Sequence, residues 1–467
     1  MPSLGEHAPE KRKIEEVFTS FVLYAEYVPL ASITIRKEKH HIFLRGGHPS
    51  RLRDREEPRS PFDYRFGLSE KEEIRMQQKR AYRYRCSPTP SQRQVLARTF
   101  GCARYVYNWG LQLRTEAYRQ RGEHVYYRAT SAALTQLKQD PVYGWLNEVS
   151  CVPTQQALRH LDKAFTNFFD GRAKYPTFKK KRDRQSAEYT TSAFTWDGGA
   201  LTLARMPDPL PIRFSRPLPK DARPSTITVS RDSAGRYFVS FLVEEDIAPL
   251  PSVPNTVGVD LGLEDVVTLS TGEKTGNEHC FRQEEKQLAR AQRRHAKKQK
   301  GSRNREKARC KVARIDARIA DRRRDFQHKL TTRLIRENQV VCVESLAIEN
   351  LLKNHCLAKA IADVGWGELL RQLEYKARWY GRSLVAINRW YPSSKRCSSC
   401  GQELESLPLA VREWTCPTCG AVHDRDVNAA CNVKAEGLSV LACGEVVRPN
   451  LDGIREGTPR RSRKPTS

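Results

Sequence analysis

Three carboxylates and four thiols in this 467-residue chain have types and positions suited to chemistry. Asp260 ends the run Val257-Gly258-Val259-Asp260-Leu261-Gly262, and Glu344 follows a second apolar run at residues 339–343. Asp426 lies in His423-Asp424-Arg425-Asp426-Val427-Asn428-Ala429-Ala430, where a helix of small residues begins. One carboxylate after a strand is usually a cap or a turn residue. Three in one place repel, and their pKa values rise unless cations share the site. Hard oxygen ligands select Mg2+ or Mn2+. Two such ions activate water and stabilise the leaving oxygen in phosphodiester cleavage. Asp424 competes with Asp426 for the third place. Two residues apart on a helix they point different ways, and Asp424 suits the N-cap.

The thiols form two knuckles, Cys397-Ser398-Ser399-Cys400 and Cys416-Pro417-Thr418-Cys419, separated by 15 residues. Each knuckle presents two thiolates from a tight turn, and a hairpin of this length brings them together as a tetrahedral four-thiolate site. The expected metal is Zn2+. A closed set of four ligands makes it structural. The other nine of the 13 cysteines, Cys102 and Cys342 among them, read as small core residues. An odd total with two CxxC pairs fits a reduced, cytoplasmic protein rather than a disulfide scaffold.

The elements that must position these groups can be read from periodicity. Residues 256–262 and 266–269 read as consecutive strands joined by a turn, and 339–343 as a buried strand. Residues 284–326 are helical, with 17 Lys/Arg against 6 Asp/Glu. Val312, Ile315, Ile319 and Phe326 form an apolar seam, Arg318 and Arg322–Arg324 face elsewhere, and Gly301-Ser302 splits the stretch into a hairpin. A helix over 367–380 precedes a strand at 384–388. Upstream, Lys79-Arg80-Ala81-Tyr82-Arg83-Tyr84-Arg85 alternates as a strand. A helical pattern begins at Ser91, and residues 187–245 read as antiparallel strands.

Net charge is +28, which points to a polyanionic partner. Residues 1–75 carry 14 Lys/Arg and 13 Asp/Glu, so +27 belongs to the 392 residues from Met76 onward. Basic runs at 174–184 and 284–326 are candidate phosphate contacts, with Lys179, Lys180, Lys181, Arg182, Arg318 and Arg322 as the named candidates. Tyr82, Tyr84, Tyr105 and Trp109 are aromatic candidates for base stacking, against the commoner core reading. Residues 17–35 are apolar but too polar in detail for a membrane span, so no membrane partner is expected.

Taken together, these motifs resemble the TnpB family, insertion-sequence relatives of type V CRISPR effector nucleases. Gly258-Val259-Asp260-Leu261-Gly262 resembles its first RuvC motif and Val343-Glu344-Ser345-Leu346 its second. Trp390-Tyr391-Pro392-Ser393-Ser394-Lys395, the two knuckles and residues 423–430 resemble the third with its inserted ribbon. Phe100-Gly101-Cys102-Ala103-Arg104-Tyr105-Val106-Tyr107-Asn108-Trp109 and Tyr175-Pro176-Thr177-Phe178-Lys179 also match. The likeness covers roughly residues 76–443. Ser345 departs from it, standing where an acidic or amide residue is expected.

The resemblance implies a multidomain α/β plus β protein. A β-barrel wedge domain at 76–90 and 186–250 would hold a helical recognition domain at 91–185. An RNase H-like (RuvC) nuclease domain at 256–443 would carry the zinc ribbon at 395–422. Residues 444–467 are expected to be a disordered tail. It implies an Mg2+-dependent DNA endonuclease with Asp260, Glu344 and Asp426 as its metal-binding triad. The implied partners are a guide RNA from the transposon end and a double-stranded DNA target, with a monomer favoured and a cytoplasmic, nucleoid-associated location. Base pairing would read the target while protein charge holds the backbone. A nuclease-inactive RNA-guided DNA-binding protein or regulator of transposition is the alternative. No tyrosine- or serine-recombinase constellation is seen that would support a strand-joining transposase.

The likeness and the charge step both begin at Met76. Glu70-Lys71-Glu72-Glu73 is necessarily encoded by an unbroken purine run, the form of a bacterial ribosome-binding site. The expectation is that translation starts at Met76 and that residues 1–75 are upstream sequence.

Overall fold

Alternation sets the first layer. Strand β1 (Met76–Cys86) turns Tyr82, Tyr84 and Cys86 into a core. Thr89 then starts helix α1 (Pro90–Arg121) with a reciprocal cap: its hydroxyl accepts from the Gln92 N–H at 3.3 Å, and the Gln92 side chain accepts from the Thr89 N–H at 3.0 Å. The helix stops at Gly122, whose φ of 68° suits glycine. Helices α2 (Tyr127–Leu137) and α3 (Cys151–Phe169) follow. Gly110 lets α1 approach α3, since a Cβ there would stand 2.8 Å from a Leu158 methyl.

The chain returns through β2 (Gln185–Thr190), β3 (Phe194–Trp196), β4 (Leu201–Leu203), β5 (Ile212–Arg213), β6 (Thr226–Arg231) and β7 (Tyr237–Ile247). The order β2-β6-β7-β1-β5 makes a five-stranded antiparallel sheet, in which β1 pairs with β7 along its whole length. β2 and β5 are its edges and do not pair with each other among the described residues. The strand ladder is therefore an open five-stranded sheet among the described residues, and it does not by itself show the β-barrel wedge domain that was expected.

The second sheet comprises β8 (Thr256–Asp260), β9 (Asp265–Leu269) and β10 (Lys274–Gly276), followed by the helical hairpin α4 (Cys280–Ala296) and α5 (Arg303–Glu337). Strand β11 (Val340–Glu344), helices α6 (Ile348–Leu351), α7 (Ala358–Val364) and α8 (Trp366–Tyr380), and strand β12 (Ser383–Ile387) complete the layer. The order is β10-β9-β8-β11-β12, with β8, β11 and β12 parallel and β9 and β10 antiparallel additions. Period-two alternation divides its residues between two faces. Val257, Val259, Val341 and Val343 pack with Leu334, Leu369 and Leu373 of α5 and α8. Val340, Cys342, Val385 and Ile387 pack on the other face with Val433. That face is covered by α9 (Arg425–Ala442), which follows the small hairpin β13 (Glu413–Thr415) and β14 (Val422–Asp424).

These residues, 76–443, are those described by this computed structural model. The expectations for the 1–75 extension, the start at Met76, the 17–35 stretch and the 444–467 tail lie outside them. Among the described residues, no helix is long and apolar enough to cross a membrane.

Candidate functional site

Close approach of α9 to the sheet builds the carboxylate site. A Cβ at Gly258 would lie 2.0 Å from the Ala430 carbonyl oxygen, and one at Gly437 would lie 2.5 Å from the Cys342 sulfur. Only glycine allows the helix that near. Ala429 and Ala430 are buried in the contact. Asp260 ends β8 and Glu344 ends β11, the neighbouring parallel strand, where the preceding pair Val259–Val343 is in register. Asp426 enters from the first turn of α9.

The electrostatics register that convergence. Burial, then the Glu344 carboxylate, then the Asp426 carboxylate push Asp260 up to about 8, and Arg425 and Arg412 offset this only in part. Burial also raises Glu344, opposed by a hydrogen bond that the Ser393 hydroxyl donates to its Oε1 at 2.7 Å. Asp424 takes the N-cap: its Oδ1 accepts from the backbone of Asp426 at 3.1 Å and Val427 at 3.0 Å. Its Oδ2 meets Lys274 Nζ at 2.7 Å, tying β10 to the start of α9.

The four cysteines converge more tightly. Their sulfurs all lie within 4.8 Å of one another, and the three carboxylates do not form such a group. Cys397 and Cys419 are 3.7 Å apart, and Cys400 and Cys416 are 3.6 Å apart. A zinc tetrahedron with bonds of about 2.3 Å has edges of about 3.8 Å, so the cluster has the dimensions of a zinc site. The backbone N–H of Cys419, opposed by burial and aided by the N–H of Thr418, lowers Cys416 to about 6.

Sequence reasoning missed several supporting residues. His423 is buried, with Nε2 3.0 Å from the Cys397 sulfur and its ring 4.9 Å from Trp414. Asn428 and Asn432, one helical turn apart, donate to the Arg396 carbonyl, and Asn432 also to that of Ser393. These bonds lock the ribbon's base to the helix carrying Asp426. Arg412 spans Asp426 at 3.5 Å and Glu264 at 3.4 Å. The spacing i, i+4 of the two asparagines was the one readable signal.

The basic candidates divide. Arg318 and Arg322 are not simply outward-facing: both pair with Glu284, at 3.0 and 3.6 Å, and so clasp α4 to α5. Lys179 places its ammonium 3.9 Å from the Tyr107 ring centroid. Lys180, Lys181 and Arg182 are exposed. Tyr82 and Tyr84 are core residues, which removes them as stacking candidates, whereas Tyr105 and Trp109 are half-buried. Of the nine cysteines outside the ribbon, Cys102 and Cys342 are buried, but Cys151, Cys356 and Cys443 are exposed.

Together the mixed sheet, the strand-end carboxylates and the four-sulfur ribbon define a mixed α/β protein with a candidate metal ribbon. Family models match at residues 240–355 ("Probable transposase", IS605 OrfB), 76–123 (its "Helix-turn-helix domain", here β1 and the single helix α1) and 366–433 ("Cas12f1-like, TNB domain"). A protein of Streptomyces pristinaespiralis named as a candidate RNA-guided DNA endonuclease is 57% identical over 82% of this chain and 95% of its own length. Escherichia coli K12 InsQ, named in the same way, is 30% identical over 80% and 96%. A solved Cas12f1–sgRNA–target DNA complex aligns distantly, with a TM-score of 0.48 and 14% identity over 74% of this chain and 83% of that one. The chain belongs to the TnpB (IS605 OrfB) family.

Proposed function

We propose that this chain is a transposon-associated, RNA-guided DNA endonuclease that cuts at Asp260, Glu344 and Asp426 on an RNase H-like (RuvC) sheet. The observation that carries this reading is the convergence of three carboxylates from three elements, with Asp260 pushed up to about 8 by burial and by its two neighbours. A pure binding protein has no use for like charges held together at this cost, which disfavours the nuclease-inactive alternative. Family membership and the names of the two relatives support it. So does the sheet, with an antiparallel three-strand unit extended by two parallel strands.

The three carboxylates would hold Mg2+ or Mn2+, which when bound supplies a metal-activated water and neutralises charge at the scissile phosphate. Ser393 orients Glu344, and Asp424 fixes the turn that aims Asp426. Cys397, Cys400, Cys416 and Cys419 would hold structural Zn2+, with His423 beside Cys397. Lys180, Lys181 and Arg182 are offered as phosphate contacts of the guide RNA or target, and Arg318 and Arg322 contribute charge while bracing the α4–α5 hairpin.

The test is purified protein with its guide RNA, a matched linear duplex library of flanking motifs, and Mg2+, run beside Glu344→Ala. Cleavage by wild type with target binding retained and cleavage lost in the variant supports the reading. Binding without cleavage by wild type across the library would make the chain a binder.

A further inference from the structure

Trp390 is the most exposed tryptophan of the described residues, at 79% of its full surface, yet it is not loosely held. Asn388 accepts from the Trp390 N–H with its side chain at 2.9 Å and from the Tyr391 N–H with its carbonyl at 3.1 Å. The indole therefore stands on a pinned turn. The Arg389 guanidinium lies over it, 4.8 Å from the ring centroid.

The turn's location gives this arrangement a purpose. It leaves β12 immediately after Ile387, which is in register with Glu344 on β11. Three residues beyond Trp390, the Ser393 hydroxyl binds Glu344 itself. Trp390 thus projects from the same strand-end edge that carries Asp260 and Glu344. A large apolar ring left in water costs free energy unless something covers it. An indole paired with an arginine, beside a phosphodiester-cutting site, has the chemistry of a base-stacking platform: the ring takes the face of a base and the guanidinium takes the backbone charge. The occupant must be unpaired, because a base inside a duplex offers its faces to its neighbours.

We propose that Trp390, backed by Arg389, stacks on an unpaired base of the DNA strand presented to Asp260, Glu344 and Asp426, and so holds that strand for cutting. This rests on the nuclease reading above. It adds a substrate contact outside the carboxylates.

The test has two parts, using the full chain with its guide RNA. First, matched target carrying 5-iodouracil on the strand to be cut is irradiated in a Glu344→Ala background, where no strand is lost to cleavage. Crosslinked tryptic peptide 390–395 is expected, and it should disappear in the Glu344→Ala, Trp390→Ala double variant. This readout does not need cleavage, so it tests the stack even if the nuclease reading fails. Second, single-turnover cleavage by Trp390→Ala is expected to fall about 5- to 150-fold, with Trp390→Phe recovering most of it and target binding unchanged. Abasic nucleotides flanking the cut should slow wild type and leave Trp390→Ala no slower than it already is. Absence of the crosslink, or equal abasic sensitivity in wild type and Trp390→Ala, overturns the proposal.

Discussion

The carboxylate site and the cysteine ribbon are two ligand clusters built in opposite ways. The ribbon's sulfurs come from 23 consecutive residues and already stand within reach of one ion. The carboxylates come from β8, β11 and α9, span Asp260 to Asp426, and are spaced more widely than a single-ion cage. One cluster is local and closed. The other exists only because a whole fold forces it together, and it is left open. A structural ion needs every coordination place filled, whereas reactive ions need places left for water and substrate. The contrast also implies costs: a closed four-thiolate ribbon would draw folding energy from its metal, while the sheet folds against the repulsion of its own site.

The sharpest break of that comparison is Asp260→Ala or Glu344→Ala. Cleavage should fall by at least about 10^3-fold, while the metal-free variant, measured above about pH 8 where Asp260 is ionised, melts no lower than wild type, because a buried like charge has been removed. Lower melting with cleavage retained would place the chemistry elsewhere. Next in size is Cys416→Ser. Metal analysis should fall from one zinc per chain to none, and cleavage should drop about 10- to 100-fold, because Asn428 and Asn432 bind the chain entering the ribbon. Retention of zinc with full occupancy would refute the four-thiolate assignment.

Packing gives the third test. Gly258→Ala puts a methyl 2.0 Å from the Ala430 carbonyl, and should cost about 3 kcal/mol, read as a lowered denaturation midpoint. The fourth uses pH. Asp260 is raised to about 8 in the folded chain against about 3.9 unfolded, so the folded state binds the extra proton. Its contribution to stability is complete below about pH 4 and is lost as pH rises through about 8. Metal-free melting temperature should therefore decline across that window in wild type and decline less in Asp260→Asn. The smallest effect is expected from Lys274→Ala. It frees Asp424 from a half-exposed ion pair and should lower cleavage about 3- to 10-fold with little change in melting.

What could be read in advance divides along the same line. The ribbon was legible because its spacing is local. Asp260 and Glu344 were legible because an apolar strand that stops at a carboxylate is a local pattern, and Asp424 as a cap followed from helix-start chemistry. Strand β1, the α4–α5 hairpin and the small-residue face of α9 came from periodicity. Ser393, Arg412, His423 and Lys274 were not legible as site residues. Each owes its part to a partner brought near only by the tertiary fold, from 14 residues away for Arg412 and Asp426 to 150 for Lys274 and Asp424. The pairing of Arg318 and Arg322 was hidden for the same reason: their partner Glu284 lies across a helical hairpin, where periodicity on one helix gives no sign of it. Whether the strands at 76–90 and 186–250 make a barrel was not legible, because alternation identifies strands but is silent on whether the edge strands meet.

The bonds between Asn428, Asn432 and residues 393–398 fasten the entering end of the ribbon to α9, into which its exit end runs directly from β14. Whatever lies between the knuckles is therefore an insert on a fixed stem. Only the exposed tip at Leu409 and Ala410 is free to lengthen or carry a grafted peptide, because Arg412 and Trp414 beyond it are held by Asp426 and His423. The tip of this hairpin is thus the natural port for engineering, while its base, through Arg412, remains part of the carboxylate site.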